Sequence, residues 1–161
     1  MKNKYSRHFD MNKFEFFGDF YKGIARAKLN GKWGLINQKG EQIAPFEFDE
    51  IVSLSYSKGL YGIKKNGKWG FIDRNGECIT EAKYDAIFPF YGNFGVSKVL
   101  RDQKWGLIDK DGNKLTNISY QKVEMFGKGF LLVEVDGKLE YFSIEDFQYK
   151  YRNQTKREEK P

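Results

Sequence analysis

Three stretches of the chain are nearly the same phrase: Gly31-Lys32-Trp33-Gly34-Leu35-Ile36, Gly67-Lys68-Trp69-Gly70-Phe71-Ile72 and Gln103-Lys104-Trp105-Gly106-Leu107-Ile108. Its three tryptophans therefore stand 36 residues apart, and a worn fourth copy, Gly137-Lys138-Leu139-Glu140-Tyr141-Phe142, follows after a further 34. A fixed period of this length is the mark of a repeat architecture, in which each copy is one supersecondary unit.

The register extends beyond the signature. A glycine lies ten residues before each signature position (Gly23, Gly59, Gly95, Gly129), another lies seven after each tryptophan (Gly40, Gly76, Gly112), and an aromatic lies fifteen after (Phe48, Tyr84, Tyr120). Ile51, Ile87 and Val123 follow these aromatics at a constant distance.

Within one unit, Ala25-Arg26-Ala27-Lys28-Leu29 alternates apolar and basic residues, the period-two pattern of a half-buried strand. Asn30-Gly31 suits a two-residue type I′ hairpin, as do Asn66-Gly67 and Asp136-Gly137; Asp102-Gln103 departs from this, so the third hairpin is expected to be looser. The returning strand starts at Trp-Gly and ends in Asn37-to-Gly40, Asp73-to-Gly76 and Asp109-to-Gly112, which fit type I turns. A third strand then carries Ile43, Ile79 or Leu115 inward. The glycine after each tryptophan leaves room for a ring from an adjacent strand or repeat.

The expected fold is all-β: a repeat array of about four three-stranded units of 36 residues, stacked as an open β-solenoid-like array, with a closed propeller- or trefoil-like ring as the alternative. The worn fourth copy favours the open form, because an open stack needs ends that blunt its edge strands. The reading divides the chain into an N-terminal leader or cap (residues 1–13), the β domain (residues 14–150) and a polar tail (residues 151–161). Phe14 to Tyr21 occupy the register of Glu50 to Ser57 and read as the end of a repeat that has no beginning. At 161 residues, 40% hydrophobic and 17% aromatic, the chain can bury a real core.

A single cysteine, Cys78, excludes an internal disulfide framework. No basic start leading into an apolar run is present, and no apolar stretch approaches the ~20 residues that span a bilayer, so the expectation is a cytoplasmic chain without membrane association.

At the signature residues the chain resembles the WG-repeat family, also called KWG repeats. The likeness is strongest from Asn66-Gly-Lys-Trp-Gly-Phe-Ile-Asp73 through Lys83-Tyr84-Asp85 and covers roughly residues 14 to 147. The resemblance implies a β-rich, typically bacterial repeat protein used as an interaction module, with Trp33, Gly34, Trp69, Gly70, Trp105 and Gly106 as structural signature and no catalytic residue to carry over.

The chemistry-bearing residues point away from catalysis. His8 is the only histidine and lies outside the repeats, and Cys78 has no other histidine to act as its base. The turns at Asp73 and Asp109 are similar to the opening of a calcium loop, but its twelfth position, which needs a bidentate carboxylate, is Tyr84 or Tyr120. Asp49 and Asp85 share a column with Gln121, which suits a hydrogen-bonding corner and not an acid/base pair. No Walker loop, dinucleotide fingerprint or nucleophile elbow is present. The chain is therefore expected to be no enzyme and to use no metal and no cofactor.

Two binding readings remain. The segments before the repeat glycines vary while keeping an aromatic, and Tyr21, Tyr56, Tyr91, Phe94 and Phe126 are the candidates for contacting another protein. Lys32, Lys68, Lys104 and Lys138 form a column of one lysine per repeat that would line up along phosphates. With net charge +6 but 22 acids spread among 28 bases, nucleic-acid or polyanion binding is the alternative to protein binding. The first expectation is a protein-binding module, acting on a toxin or an enzyme as an immunity or inhibitor protein does.

Overall fold

The computed structural model describes residues 10–55, 59–91, 95–126 and 129–146. His8, Tyr56, Phe94 and the residues from 151 on lie outside the described residues. A short 3-10 turn, Met11–Lys13, leads into the strands β1 (Phe16–Phe17), β2 (Ile24–Leu29), β3 (Lys32–Asn37), β4 (Gln42–Phe48), β5 (Glu50–Ser55), β6 (Leu60–Lys65), β7 (Lys68–Ile72), β8 (Cys78–Tyr84), β9 (Ala86–Ile87), β10 (Val96–Arg101), β11 (Lys104–Asp109), β12 (Lys122–Phe126), β13 (Phe130–Val135) and β14 (Lys138–Ser143), and residues 144–146 are helical. They form four small antiparallel sheets, β1-β2-β3-β4, β5-β6-β7-β8, β9-β10-β11 and β12-β13-β14. The fold is all-β and repeated, with one sheet per repeat.

The sheets do not begin where the sequence repeat was read to begin. Phe14 to Tyr21 do not finish a missing repeat: Phe16 and Phe17 pair with Lys28 and Ala27 and open the first sheet. Likewise β5 pairs with β6, so the segment after each closing aromatic is the outer strand of the next sheet. The first two sheets therefore have four strands instead of three.

The hairpins follow the turn chemistry. Asn30, Asn66 and Asp136 have φ near 50° and the glycines after them near 75°, the paired left-handed conformation of a type I′ turn. The third hairpin is not looser. Asp102 (φ 53°) and Gln103 (φ 62°) adopt the same geometry, and the ladder stays in register to Arg101↔Lys104. Gln103 thus carries a left-handed strain that glycine avoids, so Gln103→Gly should raise stability by about 0.5–1 kcal/mol, read as a shift in the urea midpoint at unchanged slope.

After each signature strand, the Asx side chain builds the turn. The Oδ1 atoms of Asn37, Asp73 and Asp109 each accept two backbone N–H bonds at 2.7–3.0 Å, from Lys39 and Glu41, Asn75 and Glu77, and Asp111 and Asn113. The third strand then differs from expectation. Ile43 and Ile79 are only half-buried, and the residues beside them, Ala44 and Thr80, are the buried ones; in the third repeat Leu115 and Thr116 are both buried. In the first repeat, Phe48 and Ala44 oppose Trp33 and Leu35 and so share the buried tryptophan face, and the register between β3 and β4 shifts on both sides of Leu35.

The chain divides into two compact units, Met1–Lys83 and Tyr84–Pro161. Each holds two sheets, and the same packing rule operates inside each. A sheet has a tryptophan face (in the first, Ile24, Arg26, Trp33, Leu35) and a glycine face (Ala25, Ala27, Gly34, Ile36), as the pairing of β2 with β3 dictates. In the first unit the tryptophan face of the first sheet packs on Ile51 and on Tyr61, Ile63 and Ile72 from the glycine face of the second. The glycine face of the first sheet is covered by Phe14, Phe17 and Phe20. In the second unit Leu107, with Trp105, meets Val123, Leu131 and Val133 in the same way.

Candidate functional site

The signature tryptophans are half-buried and lie against the core instead of filling it. Each carries a cation on its face: Arg26 at 5.8 Å from the Trp33 ring centroid, Lys64 at 5.4 Å from Trp69 and Lys98 at 4.8 Å from Trp105. Arg26 and Lys98 hold equivalent positions and do the same thing. Arg26 Nη1 donates to the Ile51 carbonyl at 2.6 Å, and Lys98 Nζ donates to the Val123 carbonyl at 3.2 Å, each reaching 25 residues on to the outer strand of the next sheet. An aromatic completes the stack: Phe16 lies 5.5 Å from Trp33, and Phe88 lies 5.5 Å from Trp105. Each unit thus contains one ring–cation–carbonyl staple joining its two sheets. Burial between the rings holds the Lys98 amine below its ordinary pKa, with Glu124 pulling the other way. Gly62 occupies this position in the second sheet and Leu132 in the fourth.

The glycine that follows each tryptophan is needed because the third strand's backbone sits on it. A Cβ on Gly34 would meet the Ala44 carbonyl oxygen and the Phe46 ring at 2.9 Å, and one on Gly70 would meet the Thr80 oxygen at 2.5 Å. In the third repeat the neighbour is the Ile118 side chain, at 2.8 Å from a Cβ on Gly106. Only the first repeat places a ring there, as the sequence reading expected for all of them.

The lysine column is not a uniform bare row. Lys32 Nζ contacts Asp49 Oδ1 at 2.6 Å. Lys68 and Lys138 are exposed, and Lys104 is half-buried. The acidic column is the hydrogen-bonding corner expected of it. Asp49 accepts bonds from the backbone of Asn66 and Gly67 as well as from Lys32, and Asp85 Oδ2 accepts from the Asp102 N–H at 2.8 Å. Glu15 serves the first hairpin in the same way, through the Gly31 N–H at 2.7 Å. The Lys32 bond first, with the two turn amides, holds Asp49 below its usual 3.8. A depressed carboxyl pKa adds stability above the unfolded value that is lost as pH falls through the folded one. Urea midpoints should therefore show wild type above Asp49→Asn at neutral pH, with the gap closing below about pH 4.

Cys78 is exposed on the wall of a cleft of about 450 Å3 whose apolar lining includes Phe48, Ile63, Ile72 and Ala82; Glu47 and Lys65 are paired at its rim at 2.8 Å. Among the described residues no cluster of three or more His, Cys, Asp or Glu side chains could hold a metal, and no helix is long and apolar enough to cross a membrane.

Of the aromatic candidates, Tyr21 and Phe126 are exposed, while Tyr91 packs against the core of the second unit. Among the described residues, four of the six exposed large hydrophobic side chains share one surface, of which sequence reasoning named only Phe126. It is the tryptophan face of the last sheet, where Phe130, Leu139 and Tyr141 are 49%, 58% and 70% exposed, with Phe126 beside them. The ladder puts them together: Phe126 opposes Phe130 on β12–β13, and Tyr141 opposes Leu132 on β13–β14. Tyr141 holds the place of Leu35 and Leu107, which are fully buried where a further sheet packs on them.

The model of the WG containing repeat matches four consecutive stretches, residues 13–33, 33–69, 69–104 and 105–138. The chain belongs to the WG-repeat family. A WG-repeat domain of this build is consistent with a protein-interaction module. No curated protein matches the sequence. Two solved structures are similar to it at low identity. One, "KlHsv2 with loop 6CD replaced by a Gly-Ser linker", is 14% identical over 78% of this chain and 46% of that one, with a TM-score of 0.42. The other, Kluyveromyces lactis Hsv2, is 13% identical over 70% and 38%, with a TM-score of 0.39. The chain spans less than half the length of either.

Proposed function

We propose that this WG-repeat chain is a non-enzymatic protein-binding module whose binding face is the tryptophan face of its last sheet. The observation that carries the reading is the exposure of Phe126, Phe130, Leu139 and Tyr141 on one sheet surface whose counterparts in the first and third sheets pack on a neighbour. Contiguous apolar surface of this kind, aromatic and rimmed by charge, marks protein interaction sites. A tyrosine at the centre of such a patch is a typical anchor. The form of function we favour is neutralisation, in which the face covers the active surface of a toxin or enzyme as an immunity or inhibitor protein does; an exposed aromatic face suited to covering another protein's surface supports it.

Capture from an extract of the native cell, with and without nuclease and at two salt concentrations, tests the reading when run with wild type and Tyr141→Glu side by side. The expected result is one protein in stoichiometric amount, indifferent to nuclease and moderate salt and lost with the variant. Recovery of nucleic acid, or loss of the partner on nuclease or salt, overturns it in favour of the lysine column.

A further inference from the structure

We infer that the edge of β14 takes up an extended strand of the partner in which apolar and basic residues alternate, an inference that rests on the last sheet being the binding face. In the first two sheets the signature strand is flanked on both sides, by its hairpin mate and by a third strand. β11 also carries bridges on that far side, from Trp105 to Tyr120 and from Ile108 to Lys114. β14 keeps the hairpin mate, β13, but is the edge strand of its sheet among the described residues. Gly34, Leu35 and Ile36 are buried in β3, whereas in β14 Glu140 and Tyr141, in the places of Gly34 and Leu35, are exposed and Phe142, in the place of Ile36, is half-buried.

An exposed edge pairs with other chains unless proline, a bulge or charged side chains blunt it, and the charges on β14, Lys138 and Glu140, restrict which strands it accepts. β14 has no proline, and its ladder with β13 runs without a shift from Phe130↔Ser143 to Val135↔Lys138. What it excludes is the chain's own kind of third strand. That strand lies so close in the first two sheets that a Cβ at the signature glycine would stand 2.9 and 2.5 Å from its carbonyl oxygens, and here the position is Glu140. A strand in ordinary antiparallel register makes no such demand and is accepted.

The neighbouring side chains set the chemistry of that strand. Leu139 and Tyr141 point to the same side as Phe130 and Leu132, so alternate residues of the incoming strand must be apolar. The charge around them is negative. Residues 122–146 hold three lysines against six acids, in a chain whose net charge is +6. Lys122 is paired with Glu124 at 2.8 Å and stands across the ladder from Glu134, which leaves Glu140, on the side of β14 opposite Leu139 and Tyr141, to face the partner. Lysine or arginine between the apolar residues falls on the Glu140 side of the sheet and answers that charge.

The test uses the full chain and two synthetic peptides, one alternating valine or tyrosine with lysine, the other carrying glutamate in place of each lysine. Amide exchange and fluorescence anisotropy are read together. The lysine peptide should slow exchange within residues 138–143 and bind at least about tenfold more tightly than the glutamate peptide, and the variant Glu140→Lys should reverse that order. Equal binding of the two peptides, or slowed exchange elsewhere, overturns the inference. So does exchange already slow without peptide: if it deepens with protein concentration a second copy sits on the edge, and if not, residues 147–161 of the same chain do. A captured protein that needs Tyr141 yet leaves exchange at β14 unchanged sinks the strand mode and leaves the binding face standing. Capture indifferent to Tyr141→Glu sinks both.

Discussion

Gly76→Ala should be the most damaging single-methyl change in the first unit, at about 3–5 kcal/mol, and Gly70→Ala should follow at about 3 kcal/mol. Gly76 has φ +82°, and a Cβ there would run into the Ile43 carbonyl of the first sheet, so alanine meets both left-handed strain and a backbone that has nowhere to go. Gly70 has no such strain, but its Cβ would lie 2.5–2.8 Å from Thr80 O, Glu81 C and Ala82 N, all main-chain atoms of its own sheet. Two other glycines act as controls. Gly67 shares the positive φ with open space around it, and alanine there should cost only about 1 kcal/mol. Gly106 meets the Ile118 side chain at 2.8 Å and main-chain atoms only at 3.1–3.2 Å, so alanine there should cost less than at Gly70, about 1–2 kcal/mol. Chemical denaturation of the four variants gives the order directly. A Gly70→Ala no worse than Gly67→Ala would mean that the third strand does not lie on the signature glycine.

The second large effect is at Trp105, where alanine should cost about 2–4 kcal/mol, somewhat below the range for a fully buried ring. The ring is half-buried against Leu107, Val123 and Leu131, and it also forms one wall of the Lys98 stack. Part of the loss is therefore shared with Lys98. A double-mutant cycle of Trp105→Ala with Lys98→Met should return a coupling of about 0.5–2 kcal/mol. The corresponding cycle of Trp105→Ala with Lys104→Met should be additive, because no contact joins that lysine to the ring. A null coupling at Lys98 would leave the staple as geometry without energy.

Much of the fold is legible in the residues because its determinants are local. Asn-Gly and Asp-Gly set the hairpins, Asx and glycine set the next turn, and the Trp-Gly interval sets the repeat. What is not legible depends on neighbours. Asp102-Gln103 looks wrong for a type I′ turn, yet it folds as one because the flanking strands are paired to the last residue and Asp85 caps the Asp102 amide. The staple column reads Arg26, Gly62, Lys98, Leu132, too varied to stand out as a repeat feature, although its alternation matches one staple per unit. Leu139 and Tyr141 read as worn core positions, since they stand in the columns of Trp33 and Leu35. Their exposure follows from what packs on the face above them, which no local pattern records. The lysine column was visible at once, but its first member proved to be a strut to Asp49.

Titration calorimetry of the captured partner against wild type and Tyr141→Glu, with thermal melts of both chains, tests the central claim most directly. The account predicts one-to-one binding by wild type, a loss of at least about a hundredfold in the variant, and equal melting temperatures. Undiminished binding by a folded Tyr141→Glu would contradict it and move the interface off the last sheet.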